Sequence, residues 1–167
     1  MLETIPYSLT QSLKISIDWI NVVWAYDRAI IDWSFPVEMA ICKIQNGSEK
    51  AWELDLASMT KSEAHLVGET LRKNCQKATI TSIQQSKSKW LYLKLYWAYE
   101  NRHSLIDPLE IVEKIYADFD YPKEIEGLVK YMPATDGYSP DAHSSVENNQ
   151  RLFQKWENYL LVSLPTG

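Results

Sequence analysis

The strongest candidates for chemistry in this chain are Asp118 and Asp120, two carboxylates that flank Phe119. At i and i+2 they offer hard oxygen ligands, so the triplet is a candidate Mg²⁺ or Mn²⁺ site if other oxygens converge on it. The spacing is short and common. It also falls where a helix is expected to break, which gives Asp120 a simpler expected role as N-cap of a helix beginning near Pro122. The three histidines, His65, His103 and His143, are widely separated, and none stands in an HExxH spacing. Cys42 and Cys75 have no Cys or His at ligand spacing, so they read as buried thiols in a reducing compartment and not as a zinc site or a disulfide. Nucleophile elbows and phosphate-cradling glycine loops are absent from the sequence. These residues predict no catalytic centre, no bound metal and no cofactor. A metal-dependent enzyme built on Asp118 and Asp120 stands as an alternative.

A second set of residues points to binding. The segment from Pro133 to His143 is long beside the roughly 2 to 8 residues that usually join helices in a bundle. It carries Asp136, Tyr138 and Asp141. An aromatic anchor between two carboxylates suits a basic groove on a protein partner. The plainer alternative is that Tyr138 folds back and both acids only shape turns. The charge would suit a basic partner: the net charge is −5, and residues 100–147 hold eleven acids against four basic residues. Acids at helix starts and on solvated faces account for part of that excess. Lys73, Lys77, Lys87, Lys89 and Lys94 make a basic middle segment, yet no helix-turn-helix or RNP-like pattern accompanies them, so no nucleic-acid partner is expected.

The elements that must position these residues are helices. Five glycines in 167 residues and little two-residue alternation leave too few turns for a sandwich or barrel. Asp18 is placed to start a helix running to about Ala29, and Ser34 one that Asn46-Gly47 would end. Glu49 to Ala57 reads as a third, and Thr60 with Glu63 as the capping box of a fourth carrying Ala64, Val67, Leu71 and Cys75. Ser86 to Arg102 is the most apolar helix, with Lys87, Lys94 and Asn101 as its polar stripe. Asp107-Pro108-Leu109-Glu110 is the clearest helix start, opening a face of Val112, Ile115, Tyr116 and Phe119. Beyond Asp120-Tyr121-Pro122 a further helix is expected through Ile125, Leu128, Val129 and Met132, stopped by Pro133. Ser144 and Glu147 then box the start of a last helix. The expected fold is all-α, a single-domain multi-helix bundle of about seven or eight helices over residues 1–167. Its expected core includes Trp90, Leu91, Leu95, Ala98, Val112, Ile115, Phe119, Phe153 and Trp156. With no basic n-region at Met1-Leu2-Glu3 and no run near 20 apolar residues, a soluble cytoplasmic protein with no membrane segment is expected.

Several stretches carry a family likeness: Trp90-Leu91-Tyr92, Asp107-Pro108-Leu109-Glu110, Ile115 through Pro122 (IYADFDYP) and Tyr131-Met132-Pro133, together with Trp24-Ala25-Tyr26 and the Leu56-Ala57 region. In these the chain resembles a bacterial family, domain of unknown function 2247. Small acidic, Trp-rich bacterial proteins without a catalytic constellation are similar in kind to immunity proteins. That likeness implies a non-catalytic binding protein that neutralises a toxin, meeting a basic toxin domain through an acidic, aromatic-containing face. A regulatory or scaffold adaptor would share those features. Asp118, Asp120, Asp136, Tyr138 and Asp141 are the expected contact residues; the oligomeric state is left open.

Overall fold

The computed structural model describes residues 3–165. Helix covers 67% of the described residues and no strand is present among them, so the fold is all-α. Its backbone contacts cluster into two units, residues 3–90 and 91–164, with one long helix beginning in the first and ending in the second.

In the first unit the helices are α1 (Tyr7–Ser12), α2 (Trp19–Tyr26), α3 (Ser34–Gln45), α4 (Ala51–Ala57), α5 (Ala64–Asn74) and the opening half of α6 (Ile80–Glu100). Phe35, fully buried, sits under the edge of Tyr7 at 5.2 Å between ring centres and under Trp90 at 5.5 Å. Edge-to-face contacts of this kind add to the burial of large rings. Asn21, Ser86 and the Trp90 indole, all buried, are hydrogen-bonded in this packing. Asn21 Nδ2 donates to Ser86 Oγ at 2.8 Å, and the Trp90 indole N–H donates to the Asn21 carbonyl at 2.9 Å. Asn21 Oδ1 also accepts the Asp18 N–H at 2.9 Å, so one side chain both closes the start of α2 and anchors α6. Cys42 and Cys75 are half-buried, where full burial was expected. Ser34 does not cap α3: it lies inside the helix, and Asp32 Oδ1 accepts its N–H at 2.9 Å.

The second unit holds the remainder of α6, then α7 (Pro108–Asp118), a 3-10 segment (Lys123–Leu128) and α8 (Ser145–Val162). Tyr92 Oη donates to the Leu160 carbonyl at 2.8 Å and the Trp156 indole N–H to the Leu95 carbonyl at 3.2 Å, tying α8 to α6. Eight of the nine residues expected in the core are buried, and Phe153 is half-buried, stacked on Trp156. α7 begins as its sequence predicts, with Asp107 Oδ1 accepting from the N–H groups of Leu109 and Glu110 at 3.0 and 3.2 Å. Asp107 Oδ2 also meets Lys130 Nζ at 2.9 Å, and that bond, first among its partners, holds the carboxyl below its ordinary range. A depressed pKa contributes stability that is present above the unfolded-state value of about 3.9 and is lost as pH falls through the folded value. Asp107→Ala is therefore expected to cost about 1 kcal/mol at neutral pH, the usual worth of an N-cap. In urea titrations the gap to the parent chain should narrow below about pH 4. A gap that widens in acid would show that the carboxylate is not what stabilises the start of α7.

Two expectations for the segment after α7 are corrected. Asp120 is not an N-cap: Pro122 occupies that position, while Asp120 and Tyr121 are both left-handed, with φ of 60° and 57°. Asp120 serves the end of α7 instead, where its N–H bonds to the Ala117 carbonyl at 3.1 Å and the Tyr121 N–H reaches back to the Tyr116 carbonyl at 2.8 Å. The helix expected through Met132 is a 3-10 segment that stops at Leu128. Gly127 weakens an α-helix there, and Ile125 and Leu128, three residues apart, eclipse on a three-residue turn and are both buried.

Candidate functional site

The carboxylates singled out by the sequence fall in two places. Asp118 closes α7 and Asp120 follows it in the left-handed turn, both exposed. Asp118 faces Lys94, half-buried on α6; burial lowers the Lys94 pKa, and the charge of Asp118 acts in the opposite direction. Among the described residues no three His, Cys, Asp or Glu side chains come together as a metal site, so the Asp118 and Asp120 pair gains no third ligand of those types. Beside this turn lies a group of three tyrosines, Tyr116, Tyr121 and Tyr131. Tyr116 is buried, while Tyr121 and Tyr131 are 61% and 59% exposed, with ring centres 5.3 and 6.5 Å from that of Tyr116. Partial desolvation, then neighbouring Tyr116, Tyr121 and Glu113, raise the Tyr131 phenol above its ordinary pKa. Tyrosine and carboxylate are thus intermixed at the end of α7.

The loop residues are engaged with α8. Arg151 Nη2 donates to both carboxylate oxygens of Asp136 at 2.7 Å, and Lys155 Nζ lies 2.9 Å from Oδ2. Lys155 and then Arg151 hold the Asp136 carboxyl far below the usual carboxylate range. Tyr138 lies flat against His143 with ring centres 4.5 Å apart, and its hydroxyl donates to Asn148 Oδ1 at 2.7 Å. The Arg151 guanidinium covers the same ring at 4.1 Å, so Arg151 joins Asp136 and Tyr138 into one cluster. Asp141 stands apart from that cluster, exposed on the short turn Pro140–Ala142.

The acid most removed from solvent had not been singled out. Glu53 on α4 is 1% exposed, accepts the Trp19 indole N–H at 2.8 Å, bonds to the Ser48 hydroxyl and lies 3.9 Å from Lys50 Nζ. It lines a cavity of about 500 Å³ with Tyr7, Met39 and Cys42. A second cavity, of about 360 Å³, has Trp19, Trp52, Asn74 and Cys75 in its wall. Burial, followed by the charge of Glu53, pushes the Cys75 thiol up to about 11, which disfavours the nucleophilic thiolate at neutral pH. The only sequence hint to Glu53 is its position three residues before buried Leu56 on a short helix.

No helix among the described residues is long and apolar enough to cross a membrane. No curated protein and no solved structure matches the chain. A family model does match, over residues 7–163, and includes both α7 with its tyrosine turn and the loop packed on α8. The chain therefore belongs to the family described as an uncharacterised protein conserved in bacteria, DUF2247.

Proposed function

We propose that the chain is a non-catalytic binding protein of the immunity type, which neutralises a bacterial toxin by covering a basic surface with the acidic, tyrosine-bearing end of α7. The observation that carries this reading is the exposed pair Tyr121 and Tyr131 against buried Tyr116, beside the end of α7 that also carries Asp118 and Asp120. Exposed tyrosines offer a large contact area at little entropic cost and are common where binding energy concentrates. The backbone supports the same reading. Left-handed geometry costs a residue other than glycine about 1–2 kcal/mol, and such strain gathers at functional sites. Here two consecutive residues bear it, and the bonds to Ala117 and Tyr116 hold Tyr121 in place before any partner arrives. Asp118, Asp120 and Asp141 belong to the acid excess of residues 100–147, which would steer a basic partner toward the chain. Asp136 and Tyr138 enter as the framework of the loop, because α8 already engages both.

The test is titration of the chain against a toxic domain encoded beside its gene, with rescue of growth on co-expression. Tyr121→Ala should weaken binding about thirtyfold, the effect of losing about 2 kcal/mol at an aromatic anchor. Asp118→Asn should mainly slow association, and added salt should erase that difference. Undiminished affinity in Tyr121→Ala and Tyr131→Ala, with the fold intact, removes this face from the interface. Binding only to a cellular protein that is not toxic would replace the immunity role with that of an adaptor.

A further inference from the structure

Beside α8 lies a cavity of about 240 Å³, bounded by the 3-10 segment Lys123–Leu128, the loop from Pro133 and one face of the helix. Part of its wall is apolar, with Val129, Met132, Pro133 and Leu152, and part carries the cations Arg151 and Lys155. The wall holds three basic residues, the third being Lys130, against one acid, Glu126, which reverses the net negative charge of the chain. Lys130 is already paired with Asp107, whereas Arg151 and Lys155 share the single carboxylate of Asp136.

We propose that this cavity binds a small organic carboxylate with an apolar body, and that Asp136 occupies its anion-recognising end until such a ligand displaces it. Arg151 Nη2 touches both oxygens of Asp136 at 2.7 Å while Lys155 Nζ adds a second cation at 2.9 Å, so one carboxylate is held by charge-assisted bonds from two side chains. The loop supplies the acid from within. Arg151 is preorganised for the exchange, since its side chain is mostly buried and its guanidinium lies on the Tyr138 ring. Asp136 is the member that can leave. It is exposed on a loop, and the next residue, Gly137, has φ of 79°, a region open to glycine that lets the turn change without a side-chain clash. Val129, Met132 and Leu152 give the body of the ligand an apolar wall. The volume lies below the roughly 300 Å³ at which drug-sized pockets begin, so the acid is small. The inference is independent of the tyrosine face at the end of α7.

Benzoate is a suitable probe, with benzamide as its neutral counterpart and inorganic phosphate as an anion without an apolar body, titrated into the full chain and followed by NMR. If Asp136 fills the site about nine-tenths of the time, Asp136→Asn should tighten benzoate binding about tenfold, because apparent affinity scales with the free fraction. Arg151→Gln in the Asp136→Asn background should abolish that gain. In the parent chain benzoate should move the side-chain signals of Arg151 and the ring signals of Tyr138, while benzamide leaves them in place. That arm keeps the test decisive even if Asp136→Asn unfolds. Equal response to benzoate and benzamide, equal affinity with and without Asp136, or no response to benzoate overturns the proposal. A response to phosphate as strong as that to benzoate overturns the apolar half of the site.

Discussion

Trp156→Ala should lower the stability of the chain by about 3–5 kcal/mol, the range found when a large aromatic residue is removed from a packed core. Trp156 is completely buried on α8, with Tyr99 at 5.2 Å edge-on and Phe153 at 6.0 Å stacked, and its indole N–H is spent on the Leu95 carbonyl. Alanine would leave a void between α8 and the end of α6 that neither helix can close without losing the Tyr92 bond to Leu160 as well. Domains of this size are stable by only about 5–15 kcal/mol, so the loss is a large share of the total. Trp156→Phe keeps most of the apolar area and gives up only the hydrogen bond, so its loss should be smaller. Urea unfolding followed by circular dichroism measures both. A loss below about 1 kcal/mol for Trp156→Ala would place the residue among ordinary surface substitutions and contradict its burial.

Some helix starts and stops were legible in the sequence and others were not. Asp107, Thr60 with Glu63, and Ser144 with Glu147 are starts whose side chains make the expected bonds. Glu63 accepts the Thr60 N–H at 3.0 Å, and Glu147 accepts the Ser144 N–H at 2.8 Å. Four of the stops, those of α1, α2, α3 and α7, share one geometry, in which an N–H three or four residues past the helix end bonds back five residues, at Ile15, Ile30, Ser48 and Tyr121. That geometry needs a left-handed residue just before the donor, and these are Lys14, Ala29, Gly47 and Asp120. Only Gly47 has the residue type that announces it. The α2 helix, expected to reach Ala29, therefore ends at Tyr26. The start of α6 was missed for a different reason. Thr79 and Ser82 exchange backbone-to-hydroxyl bonds of 2.7 and 3.1 Å, as a capping pair does, but Ser82 stands where Glu or Gln is the usual signal. Ile80 and Ile83 are exposed there, so no apolar stripe marks the first turns.

The candidate sites were legible to the same partial degree. Turn chemistry marked the loop carrying Asp136 and Tyr138, but Arg151 and Lys155 lie a whole helix turn or more into α8, and pairing between a loop and a later helix leaves no periodic trace. Tyr121 and Tyr131 gave no signal of exposure, because tyrosine is as common in cores as on binding faces. The Trp19 indole and the Ser48 hydroxyl reach Glu53 from other parts of the first unit, and that convergence exists only once the chain is folded.

Glu53→Ala is expected to cost about 2–4 kcal/mol, because it leaves a void and takes away the acceptor that the Trp19 indole and the Ser48 hydroxyl share. The Trp19 N–H would then lose its acceptor in a site with little access to water, a penalty of about 1–3 kcal/mol by itself. Glu53→Gln tests charge apart from shape. Its carbonyl can still accept from Trp19, and the Ser48 hydroxyl can turn to accept from the amide, so the cost should fall to about 1–2 kcal/mol. Glu53→Leu fills the space without an acceptor and should lie between the two. Trp19 and Trp52 meet edge-on at 4.9 Å beside this network, so tryptophan fluorescence should change in Glu53→Ala even under conditions where the chain stays folded. Denaturant midpoints for the three variants give the order. If Glu53→Leu proves as stable as the parent chain, the carboxylate is not needed to hold α2 and α4 together, and its burial beside the cavity lined by Tyr7 and Met39 has to be explained by binding instead. If Ala, Gln and Leu fall in the stated order, Glu53 is the polar pin of the first unit.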